Sequence, residues 1–563
     1  MDKNDAIPRH NRGRRAFWLD LGVLGLAALV LIALRRHAFD LPLERDEGNY
    51  AYIATRLLAG DRLYVDVWDH QPFGIFALFA GVTGLFGDDA AVYRWTAMVF
   101  SLATLGLVFA ILRMAAGSFA AGLGAFLFAL VSSDPGTAGE GCNREIYMNT
   151  FILAAWALAL WGCTDPDAAP QTRIDKRRRR IALCMAGVAL ALGSAMKTIV
   201  AAHWLALAGW SAIAAARGSP KEERIWSVAS SLAWIGLGPA ILWVGTFAYF
   251  AWTGRFEGTV NAVFRFNLSY FDRSGESVAR FVEFFAPKRA PFVFESALPL
   301  WWAALAAVAW LSCECARYRN LKAAGILLLI LAGYVAICLP GQFWPHYYYL
   351  LVPPAVIAVA WAMARLTRTA QSRPIDEAER RSGGMLVRRG FVFVTAFAAL
   401  AAWEYRHYLK QPLPEITAKR YHGRDFWARE QGENVWRVTD PADDIFVYGN
   451  DASIYYYARR RCASRFTMIT ALHSRFPGFE HRRRIMLQEI ERRKPRLILV
   501  LLGEETFPEW AQGFLPRHYD PAGWDFRDEP PHDPVLMVLA DRNRPIESIE
   551  WDVNIAQLKT GRD

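Results

Sequence analysis

Apolar runs long enough to cross a bilayer recur along the whole chain, and this recurrence limits the possible folds more than any other feature. Eleven runs read as spans, at roughly 17–36, 90–113, 118–133, 146–164, 181–196, 199–216, 225–251, 295–315, 323–339, 347–366 and 390–403. Lipid offers the backbone no hydrogen-bond partners, so runs of this length must be helices. The stretch 181–216 is too long for one crossing, and Lys197 in its middle marks a turn between two. The first run lacks a small-residue cleavage site and is expected to stay as a span. The expected fold class is therefore a polytopic α-helical membrane protein.

The net charge of +10 does not mark a nucleic-acid partner, because the bases fall mainly in short loops between apolar runs. Lys3, Arg9, Arg12, Arg14 and Arg15 precede the first run, and RIDKRRRR ends the loop 165–180. Three bases lie in 217–224, three in 317–322 and seven in 365–389. With eleven spans these segments share one side, which the positive-inside rule makes the cytoplasm. Arg35 and Arg36, and six bases between Arg255 and Arg289, stand against that majority. The exterior set is then the loop 39–89, Ser132–Glu145, the turn at Lys197, the loop 252–294, Gly341–Tyr349 and the tail. The seven cysteines form no CxxC pair and no Cys/His metal spacing, so they read as small apolar residues of membrane helices.

Residues 1–403 are expected to form the transmembrane part and 404–563 a small α/β domain outside the membrane. In that tail DDIFVYGN, PRLILVLLG and VLMVLADR read as strands, and 480–494 as a charged amphipathic helix.

Chemistry-bearing residues gather at the outer ends of the spans. The stretch Glu44–Pro72 places Glu44, Asp46 and Glu47 at the start of a helix whose Tyr50, Ile53, Ala54 and Leu57 form one apolar stripe. Asp46 and Glu47 fit two roles, capping acids in a first helical turn or a catalytic pair. Glu145, with Arg144 beside it, opens the fourth span from a separate exterior loop; two such acids can face one cleft. Asp69, in WDHQP, suits either a turn or a site. Lys197 either snorkels or binds phosphate, and His346, ahead of three tyrosines, is a second donor for a phosphate.

The stretch RDEGNYAYIATRLLAGDRLYVDVWDHQP resembles the first exterior loop of the GT-C membrane glycosyltransferases, nearest to the protein O-mannosyltransferase and aminoarabinose-lipid A transferase group. NREIYMNTF before the fourth span, a Lys between the fifth and sixth, and HYYYLLVPP at a late span fit as well. His70, Gln71 and Pro72 stand where many relatives show Lys-Pro-Pro. The resemblance implies a GT-C fold of about eleven spans with an extracytoplasmic α/β domain, in the cytoplasmic (inner) membrane. It implies transfer of a sugar from a polyprenyl-phosphate donor to an acceptor hydroxyl on a glycolipid such as lipid A, a polysaccharide or a protein. Asp46 would be the general base and Glu145 the second acid. Lys197, His346 and Tyr347 would bind the donor phosphate, with Glu47, Tyr50, Arg144, Asp69 and His70 as further substrate contacts. Direct displacement requires no cofactor, although Asp46 and Glu145 can hold a divalent ion. The alternative is a transporter or flippase of a lipid-linked sugar, which would carry charges at the midplane and repeated halves.

Overall fold

The computed structural model describes residues 9–163, 173–271, 279–288, 290–369, 384–421, 424–502, 509–526 and 534–544. The middle of the basic loop 365–389 and residues 165–172 of the loop 165–180 lie outside them.

The first nine α-helices are α1 (Arg9–Arg36), α2 (Arg45–Leu58), α3 (Phe73–Phe86), α4 (Ala90–Ala115), α5 (Ser118–Val131), α6 (Arg144–Gly162), α7 (Arg173–Met196), α8 (Ala201–Arg217) and α9 (Arg224–Trp252). Long helices follow at Leu298–Tyr318, Leu321–Cys338, Val352–Thr369 and Gly384–Glu404. Each of the eleven expected spans is helical over most of its length. Among the described residues, eight helices are long and apolar enough to cross a membrane, so the count of eleven is not reached by those two criteria. The chain is a multi-pass membrane protein. α5 is apolar but has only 14 residues, a rise of about 21 Å. One expectation needs correction: RIDKRRRR is not loop but the first two turns of α7. Its Arg179 is buried and donates to the Ser211 carbonyl at 3.1 Å and to Ser231 Oγ at 3.0 Å, so one residue of the charge run is held by neighbouring helices while Lys176, Arg177 and Arg180 stay exposed.

The chain divides into two compact units that are not consecutive in sequence. The first holds residues 1–39, 94–246 and 275–412. In lipid a backbone carbonyl left without its helical donor needs another. Pro239 inside α9 has no N–H for the carbonyl four residues back, Ile235, and the Trp204 indole donates to that oxygen at 3.3 Å instead. Between α7 and α8 the chain breaks at Lys197, whose backbone is extended, as the turn expected there requires.

The second unit holds residues 40–93, 247–274 and 413–563. Its five strands are β1 (Asp444–Tyr448), β2 (Arg461–Cys462), β3 (Leu497–Leu501), β4 (Tyr519–Phe526) and β5 (Pro534–Asp541), in the order β2-β1-β3-β5-β4. β1 pairs parallel with β2 and β3, while β5 runs antiparallel to β3 and β4. β3 reads LILVL and is buried at every position, as a central strand covered on both faces must be. The charged helix expected at 480–494 spans Phe479–Arg493. Helix α2 packs on the helix Ser453–Ala458 through Gly48, where an added Cβ would stand 2.4 Å from Ser453 Cβ and 2.6 Å from its Cα. Gly48→Ala is expected to lower the melting midpoint by several degrees, as overpacking by about 1–3 kcal/mol would, read by thermal unfolding in detergent.

Candidate functional site

Two groups of candidate residues emerge, one in each unit.

In the second unit the N-terminus of α2 carries the acids. The Glu44 backbone N–H donates to Glu47 Oε2 at 3.2 Å, so Glu47 takes the capping role and is fully buried. Glu44 is buried as well, and desolvation, with Asp46 and Glu47 nearby, pushes its carboxyl well above the usual range. Asp46 differs from both: its side chain is 19% exposed and lies 3.8 Å from Arg45 Nε. Of the two acids, Asp46 is the one whose side chain is partly exposed. Tyr50 is buried, edge-on to Phe76 and Phe79.

Asp69 holds a corner. Its Oδ1 accepts the Gln71 N–H at 2.7 Å, an Asx turn, and its Oδ2 accepts Asn49 Nδ2 at 2.7 Å. The Asn49 oxygen in turn accepts from Thr467 Oγ1 at 2.7 Å, so α2, the WDHQP corner and the tail share one buried network. His70 lies 3.5 Å from Asp69 and stacks at a tilt on Phe266, while Asn267 Nδ2 donates to its carbonyl at 2.7 Å. Asn49 and Thr467 went unnoticed in the sequence, because an Asn inside a helix and a Thr in the tail carry no motif.

In the first unit three chain segments bring five expected residues together: the N-terminus of α6, the break between α7 and α8, and the turn Pro345–Leu351 that leads into Val352–Thr369. Lys197 Nζ donates to Glu145 Oε1 at 3.0 Å, and Arg144 Nε lies 3.6 Å from the same oxygen. Lys197 Nζ also stands 3.4 Å above the Tyr347 ring centre, a cation–π contact, and His346 meets Tyr347 edge-on. All five are buried. Two basic side chains therefore face one carboxylate, and Glu145 Oε2 is buried with no hydrogen-bond partner among the described residues. The group lies at the N-terminus of α6, an end that favours anions. No group of three or more His, Cys, Asp or Glu side chains among the described residues is arranged to hold a metal ion.

The loop leading to Glu145 rests on buried acids. Asp134 Oδ2 accepts Ser296 Oγ at 3.0 Å and Oδ1 accepts the Gly136 N–H at 3.3 Å, yet burial pushes its carboxyl up to about 7. Burial, then the Asp134 charge, raises Glu404 too. Between 3.8, the ordinary value, and about 7 the folded chain keeps a proton on Asp134 that the unfolded chain has lost. Stability must fall as pH rises through that window. A melting midpoint that drops between pH 4 and 7, with a smaller drop in Asp134→Asn, is the expected result.

No family model and no curated protein matches the sequence. Solved structures do match. ArnT from Cupriavidus metallidurans, bound to undecaprenyl phosphate, aligns with a TM-score of 0.60 over 93% of this chain and 98% of its own, at 15% identity. The Archaeoglobus fulgidus oligosaccharyltransferase, tethered to an acceptor peptide, aligns at 0.52 over 95% of this chain and 74% of its own, at 14% identity. The fold is the GT-C fold. At these identities the likeness concerns the course of the backbone, and the GT-C fold is here assembled from a sequence that shares about one residue in seven with either structure.

Proposed function

We propose that the chain is an integral-membrane glycosyltransferase that moves a sugar from a polyprenyl-phosphate carrier to an acceptor hydroxyl on the extracytoplasmic face of the inner membrane. The observation that carries this reading is the buried group of Lys197, Arg144, His346 and Tyr347 around Glu145 at the N-terminus of α6. A sugar phosphate linked to a lipid is an anion at that position. ArnT, the structural neighbour with the same span of chain, was solved with undecaprenyl phosphate bound, which supports the same class of carrier here.

In this reaction the acceptor oxygen attacks the anomeric carbon, and the bond from that carbon to the phosphate oxygen breaks. The polyprenyl phosphate leaves with the electron pair, and the acceptor proton passes to Asp46. One displacement gives inverted stereochemistry. Lys197, His346 and Tyr347 hold the phosphate and stabilise it as it departs. Arg144 adds charge, and Glu145 keeps Lys197 in place. Glu47, Tyr50, Asp69 and His70 build the corner in which Asp46 works. Residues 404–563 form an outer domain that meets the acceptor, whether a glycolipid such as lipid A, a glycan or a protein.

The test is mass spectrometry of envelope glycolipids and glycans from a deletion strain, with and without the gene restored. Loss of one sugar from one acceptor, regained with the wild-type chain, is expected. Unchanged glycans, with accumulation of a lipid-linked sugar on the cytoplasmic leaflet, would establish the flippase instead.

A further inference from the structure

Arg35 is a cation that neither the membrane orientation nor the reaction accounts for. It lies in the last turn of α1, on the side where bases are disfavoured, and is 1% exposed. A buried guanidinium must satisfy its donors within the protein. Arg35 Nη1 donates to the Gly139 carbonyl at 2.7 Å and to the Ser132 carbonyl at 3.3 Å, and Nη2 donates to the Gly141 carbonyl. These acceptors come from both ends of one loop, and two residues past Gly141 the loop becomes the N-cap of α6, followed by Arg144 and Glu145. The loop has no slack. The Tyr349 hydroxyl also donates to the Ser132 carbonyl at 3.2 Å, and a Cβ added at Gly139 would stand 2.7 Å from that oxygen and 2.9 Å from the Tyr349 ring. Asn149, one turn beyond Glu145, donates to the Tyr349 carbonyl at 2.8 Å.

We propose that Arg35 is a positioning residue: by gripping both ends of the loop 132–141, it sets where Glu145 stands against Lys197. The proposal rests on the reading of that pair as the seat of a lipid phosphate. Arg35 itself touches none of the reacting groups. Its fork is what allows one side chain to reach three carbonyls, and Lys, a point charge, cannot copy it.

A double-mutant cycle tests this on the full-length protein in nanodiscs, with undecaprenyl phosphate as the probe and its dissociation constant as the readout. Arg35→Lys is expected to weaken binding about tenfold in the wild-type background and less than about twofold in Glu145→Gln, because a residue acting through Glu145 loses its lever there. Equal weakening in both backgrounds, or none in the wild type, overturns the proposal. If Arg35→Lys does not accumulate, Tyr349→Phe removes the other anchor of Ser132 at constant shape, and the same cycle applies with the same two outcomes. Failure of the wild-type protein to bind the probe, or binding unchanged in Lys197→Met, overturns the functional reading itself.

Discussion

Replacing Asp46 with Asn is expected to cut turnover by about 10²–10⁴-fold with little change in folding, the contribution of a positioned general base. The three acids at the start of α2 differ in what they are free to do. Glu47 receives the Glu44 N–H and closes the helix end, and Glu44 is buried with its carboxyl pushed up by desolvation. Asp46 keeps a partly exposed side chain. An Asn at that position preserves size and removes the base. Glu47→Gln is the control, because a Gln oxygen still accepts the capping hydrogen bond. It should alter turnover less than about tenfold, a fraction of the loss expected for the base. Product formation by each variant in a complemented deletion strain decides the matter. Near-normal product with Asp46→Asn, or an equal loss with both, would remove Asp46 from the role of base.

The sequence shows some of this clearly and some not at all, for physical reasons. Spans, the break at Lys197, α2 with its apolar stripe, and strands β1, β3 and β5 are all written as local patterns of hydrophobicity. β4 is not, because YDPAGWDF carries a Pro and a Gly, and its pairing with β5 shifts register between Pro521 and Gly523. Helix α3 has 14 residues, which is too few to announce a span and too uniformly apolar to show a face. The meeting of Glu145 with Lys197 spans 52 residues, and nothing near either residue signals the other. Each could be nominated from chemistry alone. Their pairing, which gives the lysine a carboxylate partner, required the fold. Arg35 looked like an exception to the charge rule, and its three carbonyl partners explain why a cation is kept there.

Because Lys197 and Glu145 are paired and buried, removing the lysine has two separable effects. Lys197→Met strands the Glu145 carboxylate, whose side chain is 1% exposed, and breaking such a pair costs about 3–5 kcal/mol. Arg144, 3.6 Å from the same oxygen, offsets part of this, so a loss near the lower end is expected. The apparent melting midpoint in detergent should fall by several degrees. Adding Glu145→Gln removes the stranded charge, and the midpoint should return most of the way, since an uncharged pair of similar volume is often neutral for stability. Binding of undecaprenyl phosphate should not return with it. Met offers the phosphate no donor, and a charge-assisted hydrogen bond at a buried site is worth about 1.5–3 kcal/mol, or roughly 10–100-fold in affinity. Glu145→Gln alone, which releases the hold that sets Lys197 in place, should bind the same lipid more weakly than the wild type. A double variant that recovers both stability and affinity would reduce Lys197 to a structural partner of Glu145, and the phosphate would then have to be held elsewhere.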